Sequence, residues 1–409
     1  MASTPERTLA LLGGGAEQCA AVRAARELGF ATLVVDDDPD APARLLADRF
    51  LASRIKDVER LHRDLGALEF QGVFTHAAEL GVELAQVAER FGLPALSVEA
   101  ARRGTLKHLR IRALQAAGVP VPDHRILCAE DDRIRWRAAA LELGYPLVAK
   151  PVNEKGALGV RLVRDPDELD AYHAARLPSS PWFVLETFER GLEISTESVL
   201  LDGRAAWHSF ALRHYEGMER YHPFLIEDGH SMELELPRDL EERIEECIAA
   251  AAQAIGVHDG VLKGDVLVRA DGTPVVLEMA IRTSGGRFAD LVTPLHCGVN
   301  ILHPLIQLAM GEPVDRSLLE PRWRRGVSQR YLFLPEGARA RRLPRVTDFT
   351  SREGTVEVVL APHFLRTLTQ PRVTSHHDRI GYVVCTGPDR ASADARARDL
   401  VRELLEEMQ

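Results

Sequence analysis

Cysteine is scarce in this chain. Five residues, Cys19, Cys128, Cys247, Cys297 and Cys385, lie scattered through 409 positions and are never spaced Cys-x-x-Cys. Neither a disulfide framework nor a thiolate zinc site is indicated, and a reducing compartment is expected. Long apolar runs are missing too: no uncharged stretch reaches the roughly 18 residues that a membrane span needs. The opening Met-Ala-Ser-Thr-Pro-Glu-Arg lacks the basic segment and apolar run of a secretory leader. A cytoplasmic protein with no membrane partner is expected. There is no excess of basic charge, since 51 Lys and Arg face 61 Asp and Glu for a net charge of −10. That balance opposes attraction to phosphate backbones, so no nucleic-acid partner is expected. The clusters Arg322-Trp-Arg-Arg325 and Arg339-Ala-Arg-Arg342 read instead as a solvated face, a dimer contact or a wall of a cleft. Internal repeats and low-complexity segments are also absent. What is present is a globular composition, 45% apolar and 27% charged, long enough for two or three cores.

The first hundred residues alternate between strand and helix. Thr8 to Leu12 reads as a strand, Gly13-Gly14-Gly15 as a turn, Glu17 to Leu28 as a helix and Ala31 to Val35 as a strand, with a further strand at Gly72 to Thr75 and a helix at Leu80 to Arg90. A parallel sheet follows, with ligands at its strand carboxyl ends. Gln18 stands where a dinucleotide fingerprint has its third glycine, so the glycine turn reads as a small-ligand loop or a plain turn. Beyond Gly104, Thr105 reads as the cap of a helix that runs to Ala117. A strand, a glycine loop and a strand follow between Tyr145 and Val163, then a helix at 166–175 and a strand at 182–186. Strands at 193–201 and 205–212, a helix at 238–255 and a hairpin at 261–280 make a third segment. Short strands (327–334, 355–360, 380–386) and a helix at 391–408 close the chain.

The hairpin carries the strongest chemical signal. Asp271-Gly272 is a favoured two-residue loop; it sets Ala270 against Thr273, Val268 against Val275, and Asp265 against Glu278 on one face. Directly opposed carboxylates lie about 5 Å apart and repel unless a cation sits between them, and hard oxygen ligands of this kind suit magnesium carrying phosphates. Arg282, two steps of period two beyond Glu278, is placed to stabilise charge developing beside a bound metal. Lys150 closes an apolar strand and calls for an anion. After it, Lys155, Gly156 and Gly159 form a loop whose backbone N–H groups approach phosphate closely. The polar stretch from Arg213 and His214 to His222, and on through Asp228-Gly-His230, reads as a loop over a substrate. Its neighbours His208, His214, His222 and His230 are too irregularly spaced for a metal cluster and read as exposed loop residues. His76 and Glu79, just past a strand's carboxyl end, read as substrate contacts or as capping and solvated groups.

Taken together, these motifs resemble the ATP-grasp superfamily of carboxylate–amine ligases, in its L-amino acid ligase and biotin carboxylase-like branch. The resemblance runs from about residue 8 to 310. Its elements are the Rossmann-like start, Gly104-Thr-Leu-Lys107, Lys150-Pro-Val before the glycine loop, Glu186-Thr-Phe-Glu189 before Gly191-Leu-Glu193, and Glu278-Met-Ala-Ile-Arg282-Thr-Ser-Gly-Gly286. The implied fold is mixed α/β and α+β. It comprises a Rossmann-like domain (1–103), a lid subdomain (104–190), an antiparallel-sheet large subdomain with the metal site (191–315) and a small α+β C-terminal segment (316–409). By the same resemblance Lys107 and Lys150 hold ATP phosphates and the loop of Lys155, Gly156 and Gly159 closes over them. The backbone of Glu186, Thr187 and Phe188 reads adenine, Glu193 binds ribose, and Asp265 and Glu278 hold Mg2+. Arg282 and Lys150 are the implied catalytic residues, and Gly14, His76, Glu79, Arg213, His214, Arg282, Gly285 and Gly286 the implied substrate contacts. This chain departs from the family pattern at Ala280, where an asparagine ligand is usual, at Asp265, often glutamate, and at Lys155 and Ala157, where serines are common.

The resemblance implies that a carboxylate attacks the γ-phosphate of ATP and that an amine displaces phosphate from the acyl phosphate, in a homodimer acting on small molecules. Two alternatives stand beside it: a bicarbonate-dependent carboxylase and a non-catalytic ATP-binding module.

Overall fold

The computed structural model describes residues 7–176, 178–232 and 234–409. Its first sheet is parallel, built from β1 (Thr8–Leu12), β2 (Ala31–Asp36), β3 (Arg49–Ala52) and β4 (Gly72–Phe74) in the order β3-β2-β1-β4. Its inner strands are apolar on both faces, as a sheet covered on both sides requires. Leu9, Leu11 and Val34 enter one core, while Ala10, Leu12, Leu33 and Val35 enter another.

The second sheet is antiparallel: β5 (His124–Cys128), β6 (Leu147–Pro151), β7 (Arg161–Val163) and β8 (Trp182–Thr187), in the order β5-β8-β6-β7. Helices Arg133–Leu143 and Pro166–Ala174 start where Asp132 and Asp165 accept backbone N–H groups of the first turn. They bury Trp136 against Phe183 and Leu147. The helix expected to be capped by Thr105 differs. Thr105 ends the helix Val98–Thr105, Leu106 is extended, and a new helix Lys107–Ala116 begins. The break leaves Lys107 in a first turn whose N–H groups have no intrahelical partner.

The third sheet holds eight antiparallel strands: β9 (Leu192–Leu201), β10 (Arg204–His214), β11 (Gly229–Met232), β12 (Gly260–Val268), β13 (Pro274–Ala280), β14 (Gly326–Leu332), β15 (Thr355–Leu360) and β16 (Gly381–Gly387). Their order is β13-β12-β9-β10-β11-β14-β16-β15. Helix Arg238–Ile255 lays Ile244, Ile248, Ala251 and Ile255 on Ile194, Leu262, Val266 and Met279, the stripe that a 3.6-residue period dictates. The segment from 316 keeps its own core under helix Arg390–Met408, yet β14 bonds to β11, so its strands continue the same sheet. The first sheet is docked on the third through one shared core, in which Leu9, Leu11 and Phe74 meet Val199, Trp207 and Val261.

Candidate active site

The β12–β13 hairpin opposes Asp265 to Glu278 and Lys263 to Ala280, as expected for the carboxylates. Its register is otherwise corrected. Val268 faces Pro274 and Leu267 faces Val275, because the loop is longer than two residues: Arg269 N–H bonds to the Thr273 carbonyl, and Gly272 adopts φ +79°. A bulge between Asp265 and Val266 takes up the extra residue, so the carboxylates meet through two compensating shifts.

Cations surround this pair. Lys263 Nζ lies 2.6 Å from Asp265 Oδ1, and Arg213 Nη1 lies 2.5 Å from Asp265 Oδ2. Arg213 also pairs with Glu193 at 3.2 Å and Glu227 at 3.3 Å. Glu278 has Arg110 at 3.9 Å. Burial works to raise the Glu278 pKa, but Lys107, Arg110, Lys263 and Lys150 outweigh it and hold the carboxyl well below the usual carboxylate range. Lys107 donates to the Glu154 carbonyl of the lid loop at 2.5 Å, and Lys150 pairs with the buried Glu186. Four basic side chains thus bear on Glu278, and with Lys263 also paired to Asp265 and Lys150 to Glu186, the cluster keeps an excess of positive charge through Lys107 and Arg110, which suits a polyphosphate.

The segment after β13 is stitched in place by carboxylates from two sides. Glu79 pairs with Arg282 at 2.5 Å, Glu197 accepts from Ser284 N–H at 2.7 Å, and Glu17 accepts from Gly286 N–H at 2.8 Å. Thr283 Oγ1 accepts from Ala77 N–H at 3.0 Å and lies 2.7 Å from His76 Nδ1. Burial, with help from Arg287 and Arg282, lowers the His76 pKa to about 4, so the ring is neutral at pH 7.

Glu197 yields a stability prediction. Burial raises its pKa from 4.5 to about 7 against the pull of the Ser284 hydrogen bond. A carboxyl whose folded-state pKa exceeds its unfolded one contributes stability below about pH 4.5 that is lost as pH rises through about 7. Glu197→Gln is expected to gain about 2 to 3 kcal/mol on the wild type between mildly acidic and mildly alkaline pH. Urea unfolding of both proteins at the two pH values measures it; a pH-independent difference counts against the assignment.

Several expected site residues land differently. Gly14 N–H is spent on Asp36 at 2.6 Å, and a Cβ there would lie 2.8 Å from Ala41 Cβ, so this turn is packed rather than open. The N–H groups of Thr187 and Phe188 are taken by the carbonyls of Asp123 and Pro146. They are therefore not free donors for adenine. Glu193 accepts from Tyr215 at 3.0 Å besides pairing with Arg213. His214 and His230 are buried strand residues on β10 and β11, not exposed loop residues. His208 faces Glu241 and Glu245 on the neighbouring helix, and His222 pairs with Glu168 at 2.6 Å. Lys155 lies in the lid loop, Gly156 and Gly159 adopt φ +60° and +72°, and the Gly156 carbonyl accepts from His376 N–H at 2.9 Å. Gly285 has room for a Cβ only 2.9 Å from Glu17 Oε2.

Sequence reasoning missed Lys263, Arg110, Glu17, Glu197 and Glu227. Lys263 sits two residues before Asp265, on the same strand face, and Arg110 one helical turn after Lys107; both spacings were available signals. Glu17 and Glu197 had none, since their partners are distant in sequence; Glu227 lies three residues before its partner His230, in a stretch that read as a loop.

A family model described as D-ala D-ala ligase C-terminus matches residues 113–286. The chain is 28% identical over 241 residues to a D-alanine–D-alanine ligase of Ralstonia pickettii (strain 12J), covering 56% of this chain and 70% of that protein. It is 26% identical over 392 residues to uncharacterized protein y4rH of Sinorhizobium fredii, covering 91% and 77%. Among solved structures, an L-amino acid ligase from Bacillus licheniformis superposes with a TM-score of 0.80 at 20% identity, covering 98% of each chain. A carboxyaminoimidazole ribonucleotide synthase from Aspergillus clavatus complexed with ATP gives 0.77 at 18%, covering 99% of each. With the site above, these likenesses indicate an ATP-grasp carboxylate–amine ligase.

Proposed function

We propose that this enzyme joins a small-molecule carboxylate to an amine at the expense of ATP, releasing ADP and phosphate. One observation carries the reading: opposed Asp265 and Glu278, ringed by Lys107, Arg110, Lys150 and Lys263, lie beside an arginine that Glu79 holds in place. In-line transfer between two anions needs their repulsion screened. Lys107 and Lys150 neutralise the phosphates, and the loop of Lys155, Gly156 and Gly159 covers them. Magnesium fits the donor set, because Glu278 is half-buried, held ionised, and within 4.0 Å of only one cationic nitrogen among the described residues, that of Arg110. When bound, it supplies charge neutralisation on the transferring phosphoryl group. Arg282 holds the carboxylate being phosphorylated and then steadies the tetrahedral oxyanion as the amine attacks. His76, Glu79, Gly285 and Gly286 line the substrate side of this centre, whereas Arg213 turns to Asp265, Glu193 and Glu227, and His214 to Ser231.

The test is Mg2+-dependent ADP release across carboxylates crossed with amines. ADP that requires both partners supports the reading. ADP without an amine, or nucleotide bound with no turnover in any mixture, overturns it. The likeness to a carboxyaminoimidazole ribonucleotide synthase makes labelled bicarbonate a necessary arm, since label in the product signals a carboxylase. Unbridged cysteines throughout and the need for ATP fit a cytoplasmic setting; among the described residues no helix is long and apolar enough to cross a membrane. Dimerisation, implied by the family resemblance, is read by sedimentation equilibrium.

A further inference from the structure

The acidic pair is not symmetric. Both oxygens of Asp265 already carry fixed cations, Lys263 Nζ at 2.6 Å on Oδ1 and Arg213 Nη1 at 2.5 Å on Oδ2, and Ser195 Oγ donates to Oδ1 at 3.2 Å. Glu278, by contrast, has only the distant Arg110 within 4.0 Å among the described cationic nitrogens. The residue facing Lys263 across the hairpin is Ala280, whose buried methyl offers no ligand atom. At the place where a third oxygen donor would complete a site for a second divalent ion, the chain instead presents an ammonium in contact with the carboxylate. A divalent ion added at that oxygen would face an ammonium and a guanidinium across a carboxylate of single charge, more repulsion than that one negative charge offsets.

We propose that the Lys263 ammonium occupies the place of a second magnesium, so that this enzyme works with one divalent ion per ATP, shared between Glu278 and the phosphates. Asp265 then serves chiefly to hold Lys263 and Arg213 against the nucleotide. The inference rests on the reading of the Asp265–Glu278 pair as the metal site. It also gives the missing ligand at 280 a counterpart on the facing strand, since Lys263 supplies there a charge that a second ion would otherwise supply.

The experiment counts metal rather than turnover. Mn2+ bound per nucleotide is measured by electron paramagnetic resonance on the full-length protein saturated with adenylyl imidodiphosphate. The wild type is expected to hold about one ion per nucleotide, as an oxygen site built on one free carboxylate and phosphates allows. Ala280→Asn alone is expected to stay at one, because the ammonium is still in place, and Lys263→Met combined with Ala280→Asn to rise to two. Two ions in the wild type, two in Ala280→Asn alone, or one in a double variant that binds nucleotide normally would each overturn the proposal and leave the metal-site reading intact. No manganese on nucleotide-bound wild type would remove the metal-site reading itself, and this inference with it. Should the double variant fail to fold, the wild type and Ala280→Asn decide the matter.

Discussion

Replacing Arg282 with methionine is expected to lower substrate-dependent ADP release by about 10²- to 10³-fold, the usual cost of losing a positioned donor to developing charge. The fall belongs in kcat. On the proposed reading Lys107 and Lys150, not Arg282, meet the phosphates, so the KM for ATP should move little. Lysine should not rescue: the Arg282 guanidinium bonds Glu79 through Nε and the Thr283 carbonyl through Nη1, and a single ammonium cannot reproduce that fork. A variant that keeps kcat and raises KM for ATP would make Arg282 a nucleotide-binding residue and not a catalytic one. Glu79 touches the arginine and acts as a positioning residue; Glu79→Gln should show a smaller kcat defect in the same direction.

Neutralising Glu278 separates binding from turnover. Removing one negative charge from a centre already bearing Lys107, Arg110, Lys150 and Lys263 makes it more positive, so Glu278→Gln is expected to bind metal-free ATP more tightly than the wild type. The same variant should lose at least about 10²-fold of its magnesium-dependent ADP release, because charge neutralisation by the metal is gone. Isothermal titration with ATP in a chelator, beside the ADP assay, reads both effects. Turnover within a few-fold of the wild type would show that Glu278 is not a metal ligand.

The parallel start and the opposed pair Asp265–Glu278 were legible because each depends on local pattern: period-two apolar runs in one case, the spacing around Asp271-Gly272 in the other. Even there, the agreement at Asp265 came through a longer loop and a bulge that no periodicity announces. The short strands β3 and β11 escaped notice. β3 is a half-exposed edge, and β11 reads Gly-His-Ser-Met, a polar stretch made buried only by the strands on either side. His214 and His230 went wrong for the same reason, since histidine has no fixed preference for surface or core and its neighbours decide. Lys150 was legible as a charge closing an apolar strand and Arg282 through its spacing from Glu278, whereas Lys107 had no signal of its own and entered only through the family resemblance. What holds the site in place was not legible. Glu17 and Glu197 lie 269 and 87 positions from the backbone groups they bind, and no local signal spans such a distance.

Glu17 and Glu79 belong to the first hundred residues, yet they fix the arginine and the glycines that follow β13. The nucleotide half of this enzyme is therefore not a detachable module, although its sheets are separate. A chimera that borrows its opening domain from a relative should keep the arginine aligned only if the donor brings a carboxylate to each of these two places. Conversely, the chain cut in the loop between Phe91 and Val98 should regain turnover when its two fragments reassemble, because the catalytic geometry is a property of their junction.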